Sequence, residues 1–233
     1  MVRAVVNYAV GNIFEVGQQR LYRALDVYDP DSLRFFWANT PKSWPTHQEK
    51  PYAFKAYALM EAAKHADVLL WCDASVVPIR DLTPLWNKIE TDGYWIARNG
   101  WNNYEWTCEA SYADLFPGIQ LRVAREMNRK IPHVVATAFG LNLKTEIGAS
   151  FLKEYYRLAS QTNAFNGPWR NESGNCGPPD VLGHRHDQTA ASVIAWRLGW
   201  RLGMKLTDCP EIFAYRREDG TSDERTILEA VGC

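Results

Sequence analysis

Two acidic residues stand where a carboxylate could do chemistry, and the first is Asp73. It ends the apolar run 67–73, which predicts a central strand buried on both faces. The carboxyl end of such a strand opens into the crevice where open α/β sheets bind ligands. The plainer alternative is that Asp73 only caps the turn after the strand, a frequent role for aspartate. Asp73 is therefore a candidate ligand-binding carboxylate.

The second acidic residue, Asp187, lies in a polar segment directly before a helical pattern, beside His184, Arg185 and His186. Imidazoles can bind a divalent metal, and Arg185 can pair with a phosphate. The alternatives are that Asp187 is only a helix cap, worth about 1 kcal/mol, and that the histidines are solvated. A cap alone would not call for two histidines and an arginine, so this segment is a candidate phosphate and metal site.

Aromatic residues are abundant, with 10 Trp, 11 Tyr and 9 Phe. Four of them lie among Asn, Gly and Pro rather than in periodic segments: Trp101, Tyr104, Trp106 and Trp169. We expect exposed rings there, on which a sugar or a base could stack. The alternative is that they pack in the core, as most large aromatic side chains do.

The elements that must position these residues alternate between strand and helix patterns, which favours a largely parallel sheet with helices on its faces. Strands are predicted at 3–8, 33–38, 67–73, 94–98, 133–143 and 204–207, and helices at 14–28, 51–65, 82–89, 119–128, 146–159 and 187–198. The segment 161–183 is rich in Asn, Gly and Pro. We expect it to be either a lid that closes over a ligand or a passive surface loop.

The composition limits the class of protein. The chain has 233 residues, of which 46% are hydrophobic, and it shows no repeat or linker, so residues 1–233 are predicted to form a single domain. A net charge of -1 gives no overall attraction to nucleic acid or anionic membranes. No run approaches the roughly 20 apolar residues that span a bilayer. Five widely spaced cysteines favour neither disulfides nor a thiolate zinc site, so we expect a reducing cytoplasm.

Four segments in order resemble the GT-A glycosyltransferases and related sugar-transferase-like domains. They are Lys50-Pro51 at a helix start, Trp71 to Ser75 at a strand end, Phe139 to Asn142, and His184 to Gln188 before a helix. The resemblance covers residues 1 to about 207. It implies a Rossmann-like α/β fold with a mixed, mainly parallel sheet flanked by helices. The G-x-G-x-x-G, P-loop, H-E-x-x-H and G-x-S-x-G motifs are absent from the sequence.

The resemblance also implies roles for single residues. In such enzymes an Asp-x-Asp motif contacts the donor ribose and a Mn2+ or Mg2+ ion on the diphosphate. Asp73 matches the first acid, and Ser75 stands in place of the second. The residues implied in donor binding are Asp73, Ser75, Lys50, Arg185 and Asn142. The implied metal ligands are Asp73, His184 and His186, and Asp187 is the implied catalytic base facing the acceptor.

We therefore expect a glycosyltransferase that moves a sugar from a nucleotide-sugar, a UDP-sugar by preference, to an acceptor hydroxyl. Breaking the bond leaves negative charge on the diphosphate, which a metal or a cationic side chain can stabilise. Glycans, proteins, metabolites and a hydroxylated DNA base are candidate acceptors, with the four aromatic residues as the acceptor site. The alternative is a noncatalytic module that binds a nucleotide-sugar or a glycan on the same fold.

Overall fold

A five-stranded sheet organises the chain in the computed structural model, which describes residues 1–201 and 213–215. The strands are β1 (Arg3–Tyr8), β2 (Leu33–Trp37), β3 (Val68–Cys72), β4 (Val76–Pro78), β5 (Tyr94–Asn102), β6 (Pro132–Asn142) and β7 (Phe213–Tyr215). The main sheet has the order β2-β1-β3-β6-β5, and β4 pairs with β7 in a separate two-stranded sheet.

Helices cover both faces of the main sheet. They are α1 (Asn12–Tyr28), α2 (Phe54–Ala62), α3 (Thr83–Asp92), α4 (Tyr112–Leu115), α5 (Leu121–Asn128), α6 (Glu146–Gln161) and α7 (His186–Arg197). Buried residues of α2, α6 and α7 share one core cluster, and those of α1 and α3 belong to the other. Within the described ranges, no helix is both long and apolar enough to cross a membrane.

The strand directions confirm the predicted mixed, mainly parallel sheet. β1 runs parallel to β2 and to β3, while β6 is antiparallel to both β3 and β5. Four strands of the main sheet therefore point the same way, and β6 alone is reversed. Because β2 and β3 lie on opposite sides of β1, the carboxyl ends of β1 and β3 flank a topological switch point, where open α/β sheets form a ligand crevice.

Alternation along β3 determines which face its side chains reach. Val68, Leu70 and Cys72 pack in the cluster shared with α1 and α3, whereas Leu69 and Trp71 pack in the cluster shared with α2, α6 and α7. Successive side chains of a strand point to opposite faces. Asp73, two residues after Trp71, is thus directed to the α2 side of the sheet.

An irregularity in β6 lies next to the end of β3. Ile96 of β5 pairs with Phe139, but its neighbour Ala97 pairs with Val135, so residues 136–138 have no partner on β5. Such bulges bend a strand and redirect its backbone groups. In this one, the carbonyl of Thr137 accepts a hydrogen bond from the Asp73 amide at 2.8 Å.

Two boundaries and two short strands are among the differences from the sequence predictions. Helix α2 begins at Phe54 rather than Pro51, because residues 51–53 form a turn in which Tyr52 has a φ of 59°. Strand β5 continues to Asn102, four residues beyond the predicted end at Arg98. The strands β4 and β7 were not predicted. The strand predicted at 204–207 lies outside the described residues.

Close packing of α1 fixes the loop that follows β3. A Cβ atom on Gly17 would lie 2.2 Å from the carbonyl oxygen of Ala74, the residue after Asp73. A backbone oxygen cannot move aside as the end of a flexible side chain can. The absence of a side chain at Gly17 is therefore what lets the helix approach this loop.

We predict that Gly17→Ala lowers the free energy of unfolding by about 1–3 kcal/mol, the usual cost of forcing extra atoms into a packed site. Helix propensity alone would favour alanine by about 1 kcal/mol, so a net loss isolates the steric contact. The matched control is Gly100→Ala, where nothing lies within 4 Å of the added methyl group. Urea denaturation of both variants measures the effect, and equal stabilities would contradict the packing argument.

Candidate active site

A buried lysine joins two acidic residues at the carboxyl edge of the sheet. The side chain of Lys55, on α2, is 3% exposed, and its Nζ lies 3.0 Å from Asp73 Oδ1 and 2.8 Å from Asp187 Oδ2. Nζ also donates a hydrogen bond to the carbonyl of Ala136 at 2.9 Å. An ammonium group has three N–H bonds, and three oxygens surround this one. We call Lys55, Asp73 and Asp187 the ion triad.

Each member of the ion triad comes from a different element. Asp73 directly follows β3, Lys55 is the second residue of α2, and Asp187 is in the first turn of α7. The fourth contact, Ala136, belongs to the irregular part of β6, where the carbonyl is not paired with β5. The triad therefore ties two helices to the two central strands at one point.

The two carboxylates differ in their access to solvent. The side chain of Asp73 is 28% exposed, and its Oδ1 accepts a hydrogen bond from Trp71 Nε1 at 2.7 Å. The side chain of Asp187 is only 2% exposed. Asp73 is thus the carboxylate that a ligand in the crevice can reach, while Asp187 lies behind Lys55.

The triad contains two acids and one base, and burial acts on all three. Burial raises the pKa of Asp73 and that of Asp187, and the charge of Lys55 opposes both shifts. For Lys55, burial lowers the pKa, but the two carboxylates outweigh burial and hold the pKa above its usual range. Lys55 is therefore charged at neutral pH and supplies a fixed positive charge behind Asp73.

Two aromatic residues with strained backbones cover the triad. Tyr52 and His186 have φ angles of 59° and 44°, a left-handed conformation that costs a non-glycine residue about 1–3 kcal/mol. Their rings stack at a centroid distance of 5.5 Å, and the Tyr52 ring lies 5.5 Å from the Nζ of Lys55. Burial raises the pKa of Tyr52 to about 12, so its phenol stays protonated. Strain of this kind is concentrated at functional sites.

Of the two histidines predicted as metal ligands, His184 has both ring nitrogens engaged in hydrogen bonds and His186 has one. His184 accepts a hydrogen bond from the Cys108 amide at Nδ1 and donates from Nε2 to Ala164, so both ring nitrogens are occupied. His186 uses Nδ1 to bond the carbonyl of Phe165. Burial lowers the pKa of His184 to about 3 and that of His186 to about 4, so both are neutral.

The predicted divalent metal does not fit this set of side chains. Ser75, in the position of a second acid, is buried, and Oδ1 of Asp73 is already bonded to Lys55 and Trp71. Within residues 1–201 and 213–215, no group of three or more His, Cys, Asp or Glu side chains could hold a metal ion. The cation that these residues do accommodate is the Lys55 ammonium.

Asn142 lies at the opposite edge of the sheet from the triad, which corrects its predicted place beside the donor. It ends β6, and because β6 is antiparallel it pairs with Val68 at the start of β3. Four further residues of β3 separate this pair from Asp73, a distance of about 16 Å at 3.3 Å per residue. Asn142 is buried there and donates a hydrogen bond to the carbonyl of Glu90.

Lys50 and Arg185, the two predicted donor-binding cations, have other partners than the triad. Lys50 donates a hydrogen bond to the carbonyl of Thr162 at 2.8 Å. The guanidinium of Arg185 lies 3.8 Å from the ring centroids of both Trp106 and Trp169. Arg185 is therefore held beside the triad by stacking. Lys50 instead connects the segment before α2 to the end of α6 through its hydrogen bond to Thr162.

Of the four predicted acceptor-binding aromatic residues, two are exposed. Trp101 is 46% and Trp169 is 45% exposed, while Trp106 is buried beneath Trp101. Tyr104 is 2% exposed, its hydroxyl donates to Asp180, and Arg129 covers its ring. The expectation of an exposed ring is therefore wrong for Trp106 and for Tyr104, and Tyr104 packs in the core.

The segment 161–183 is held together by its own polar groups. The side chain of Asn171 donates to the carbonyls of Gly177, Pro178 and Val181 and accepts from the Cys176 amide. A loop fixed in this way agrees with the passive alternative better than with a lid that moves as a whole.

Lys55 was missed from the sequence, although a signal for it exists. Tyr52, Ala56, Leu59, Met60 and Ala63 form the apolar stripe of the predicted helix, and position 55 borders that stripe. A lysine on an apolar helix face is almost never buried without a partner. That position therefore predicts a buried acid, and Asp73 and Asp187 were available to provide it.

We predict that Lys55→Met lowers the free energy of unfolding at pH 7 by roughly 3–5 kcal/mol, because two buried carboxylates lose their counter-charge. In the variant the folded state keeps both carboxyl pKa values above the unfolded values. The loss should therefore shrink as the pH falls towards 4, where the carboxyls bind protons. The control Lys50→Met removes a hydrogen bond to a carbonyl and should cost about 1 kcal/mol. Denaturation at several pH values measures both, and a pH-independent loss would contradict the assignment.

Comparisons with known proteins reveal only remote likenesses. No protein-family model matches the chain, and no characterised protein matches it in sequence. Three solved structures to which the chain is remotely similar are all glycosyltransferases. One, involved in glycosylation of the major capsid of PBCV-1, is 9% identical over 72% of this chain and 70% of its own, with a TM-score of 0.42.

The second is the galactosyltransferase LgtC in complex with donor and acceptor sugar analogs, 14% identical over 83% of this chain and 70% of its own, with a TM-score of 0.45. The third is mouse xyloside xylosyltransferase 1 in its apo form, 9% identical over 84% of this chain and 82% of its own, with a TM-score of 0.43. Likenesses this remote leave the activity to be inferred from the chain's own residues.

Proposed function

We propose that the chain is a glycosyltransferase that binds a nucleotide-sugar in the crevice at the carboxyl ends of β1 and β3. The observation that carries the proposal is Asp73, a partly exposed carboxylate fixed at this switch point by Lys55, Trp71 and the β6 backbone. Ligands of open α/β sheets bind at such points. The order of the four sequence segments that resemble GT-A enzymes, one of which contains Asp73, also favours the proposal.

In this proposal Asp73 accepts hydrogen bonds from donor hydroxyl groups. Its Oδ1 is committed to Trp71 and Lys55, which leaves Oδ2 for the ligand. A carboxylate with one oxygen anchored is already oriented, so little conformational entropy is lost when the donor binds. The sequence resemblance favours a UDP-sugar, which is the first donor to test.

Asp187 acts as a positioning residue in this proposal and not as the exposed base suggested by the sequence. Its side chain is 2% exposed, and Lys55 separates it from Asp73. Its charge holds Lys55 in the charged form, and Lys55 in turn fixes Asp73. The acceptor-facing role of Asp187 would require the ion triad to open first.

We further propose that donor binding does not need a divalent cation. The departing diphosphate gains negative charge, and preorganised positive charge near it stabilises the transition state. The charge of Lys55 is balanced by Asp73 and Asp187, so the cation left to meet the diphosphate is Arg185, beside the triad. Among the described residues, its guanidinium donates one hydrogen bond, from Nη1 to the carbonyl of Trp169. Arg185 would take the place that the sequence resemblance gives to Mn2+ or Mg2+.

Calorimetric titration with a panel of UDP-sugars, in EDTA and again with Mn2+, tests these proposals. We expect at least one UDP-sugar to bind, with affinities that differ by less than about 3-fold between the two conditions. Binding only with Mn2+ would overturn the metal-independent site. Absence of binding to any nucleotide-sugar would overturn the proposed glycosyltransferase function itself.

A second alternative is a noncatalytic module, which is favoured by the presence of Ser75 in place of the second acid. Turnover distinguishes an enzyme from such a module. Slow hydrolysis of the bound donor, or sugar transfer in an acceptor screen, is the result expected of the enzyme. Binding without either reaction across the screen would identify the module instead.

We predict that Asp73→Asn weakens binding of the preferred nucleotide-sugar at least 10-fold while the protein remains folded. The amide keeps the shape of the side chain but removes the charge-assisted hydrogen bonds to the donor, each worth about 1.5–3 kcal/mol. Asp92→Asn is the control, because Asp92 forms an exposed ion pair with Lys88 on α3. Calorimetry and circular dichroism together decide, and parental affinity in a folded Asp73→Asn variant would contradict the role.

A further inference from the structure

Aromatic rings and one guanidinium form a continuous row that leads to the ion triad. Trp101 contacts Trp106 at a centroid distance of 4.7 Å, and the Arg185 guanidinium lies between the rings of Trp106 and Trp169. Trp169 then stacks on His186 at 5.7 Å, next to Tyr52 above Lys55. We call Trp101, Trp106, Arg185 and Trp169 the aromatic row. Its inner end lies against the residues that cover the triad.

The row presents two large rings to solvent. Trp101 and Trp169 are each nearly half exposed, although indole is among the side chains that gain most from burial. Arg185 stacks on Trp169 and bonds its backbone carbonyl at 3.1 Å, which fixes the orientation of this part of the row. Exposed rings held rigidly lose little entropy when a flat ligand stacks on them.

Beneath Trp101 lie two buried polar atoms without a hydrogen-bond partner among the described residues, Trp106 Nε1 and His133 Nε2. Both rings contact Trp101, at centroid distances of 4.7 and 6.3 Å. Nδ1 of His133 bonds the Asn103 side-chain oxygen at 2.8 Å. That oxygen only accepts, because the Asn103 amide nitrogen donates elsewhere, so Nδ1 carries the proton and Nε2 is an acceptor.

One donor and one acceptor left unpaired in a buried place each cost about 1–3 kcal/mol. A hydroxyl group can pair with either, since it accepts from an indole N–H and donates to a neutral imidazole. Burial lowers the pKa of His133 to about 3, so the imidazole remains a neutral acceptor throughout the physiological range. Flat rings above and hydroxyl partners below are the two features that recognise a sugar.

We propose that the aromatic row binds a carbohydrate acceptor, with sugar rings stacked on Trp101 and Trp169 and hydroxyl groups that pair with Trp106 Nε1 or His133 Nε2. The inference rests on the proposed function, because the inner end of the row would direct the chain end of the acceptor towards Asp73. A neutral oligosaccharide is the class of ligand that these groups fit.

The charge of the row favours a carbohydrate over a nucleic acid. Proteins that bind single-stranded DNA combine stacking rings with a groove of several cations along the phosphates. The aromatic row contains one cation, Arg185, which is too few for a groove of that kind. The net charge of the whole chain is -1, which adds no attraction for phosphates. A hydroxylated DNA base as acceptor is therefore the alternative outcome of the test.

The test is a binding screen of neutral oligosaccharides against the full chain, by saturation-transfer NMR and tryptophan fluorescence, in the presence of the preferred UDP-sugar. The panel contains cello-, malto-, manno-, xylo- and galacto-oligosaccharides, with a single-stranded oligonucleotide containing hydroxymethylated bases as the competing class. We expect at least one oligosaccharide to bind. Trp101→Ala should weaken its binding at least 10-fold, whereas Trp101→Phe, which keeps a ring, should stay within about 3-fold of the parent.

Trp196→Ala is the matched control, because Trp196 is a similarly exposed indole on α7 that is not part of the row. It should leave oligosaccharide binding unchanged, and UDP-sugar affinity should be the same in all variants. If transfer is observed, Trp101→Ala should raise the KM for the acceptor with little change in kcat.

Three results would overturn the inference. They are binding of the UDP-sugar but of no oligosaccharide, binding of the oligonucleotide in place of any oligosaccharide, and equal oligosaccharide binding by Trp101→Ala and Trp196→Ala. Each leaves UDP-sugar binding intact, whereas failure of the proposed function appears as the loss of UDP-sugar binding itself. If an oligosaccharide binds but no nucleotide-sugar does, the aromatic row is not an acceptor site.

Discussion

The burial of a single ammonium group constrains the functional half of this molecule. Taking a lysine out of water costs several kcal/mol, and attraction to nearby charges repays that cost only when those charges are close. Lys55 has Asp73, Asp187 and the carbonyl of Ala136 within 3.0 Å of its Nζ. The start of α2, the end of β3, the start of α7 and the irregular part of β6 must therefore meet at one point.

This arrangement has consequences for the chemistry at the crevice. A divalent ion bound between the protein and a diphosphate enters and leaves with the substrate, whereas the ammonium of Lys55 is always present and holds Asp73 in place. The residue that remains accessible, Asp73, is oriented before any ligand arrives, because Trp71 and Lys55 already hold one of its oxygens. The strained, stacked rings of Tyr52 and His186 separate this charged cluster from the aromatic row. The donor and the acceptor would thus approach the stacked rings of Tyr52 and His186 from opposite sides.

The sequence predicted features that depend on local pattern and failed where long-range geometry decides. Alternating strand and helix patterns predicted the fold class. The position of Asp73 after an apolar strand identified it as a candidate ligand-binding residue. Asn142 was misplaced because nothing in an apolar strand sequence reveals that β6 runs in reverse, which moves its last residue to the far edge. Tyr104 was predicted to be exposed from its polar neighbours, yet it fills the core. Lys55 was overlooked, although its place on an apolar helix face already called for a buried acid.

The most direct measurement is a crystal structure of the chain soaked with the UDP-sugar that binds best and with Mn2+, using data collected at the manganese absorption edge. The account predicts donor density in the crevice at the ends of β1 and β3, within hydrogen-bonding distance of Asp73 Oδ2. It also predicts that Lys55 remains between the two carboxylates and that no anomalous peak lies between Asp73 and the diphosphate. An anomalous peak bridging Asp73 and the diphosphate, or donor density at the opposite edge of the sheet beside Asn142, would contradict it.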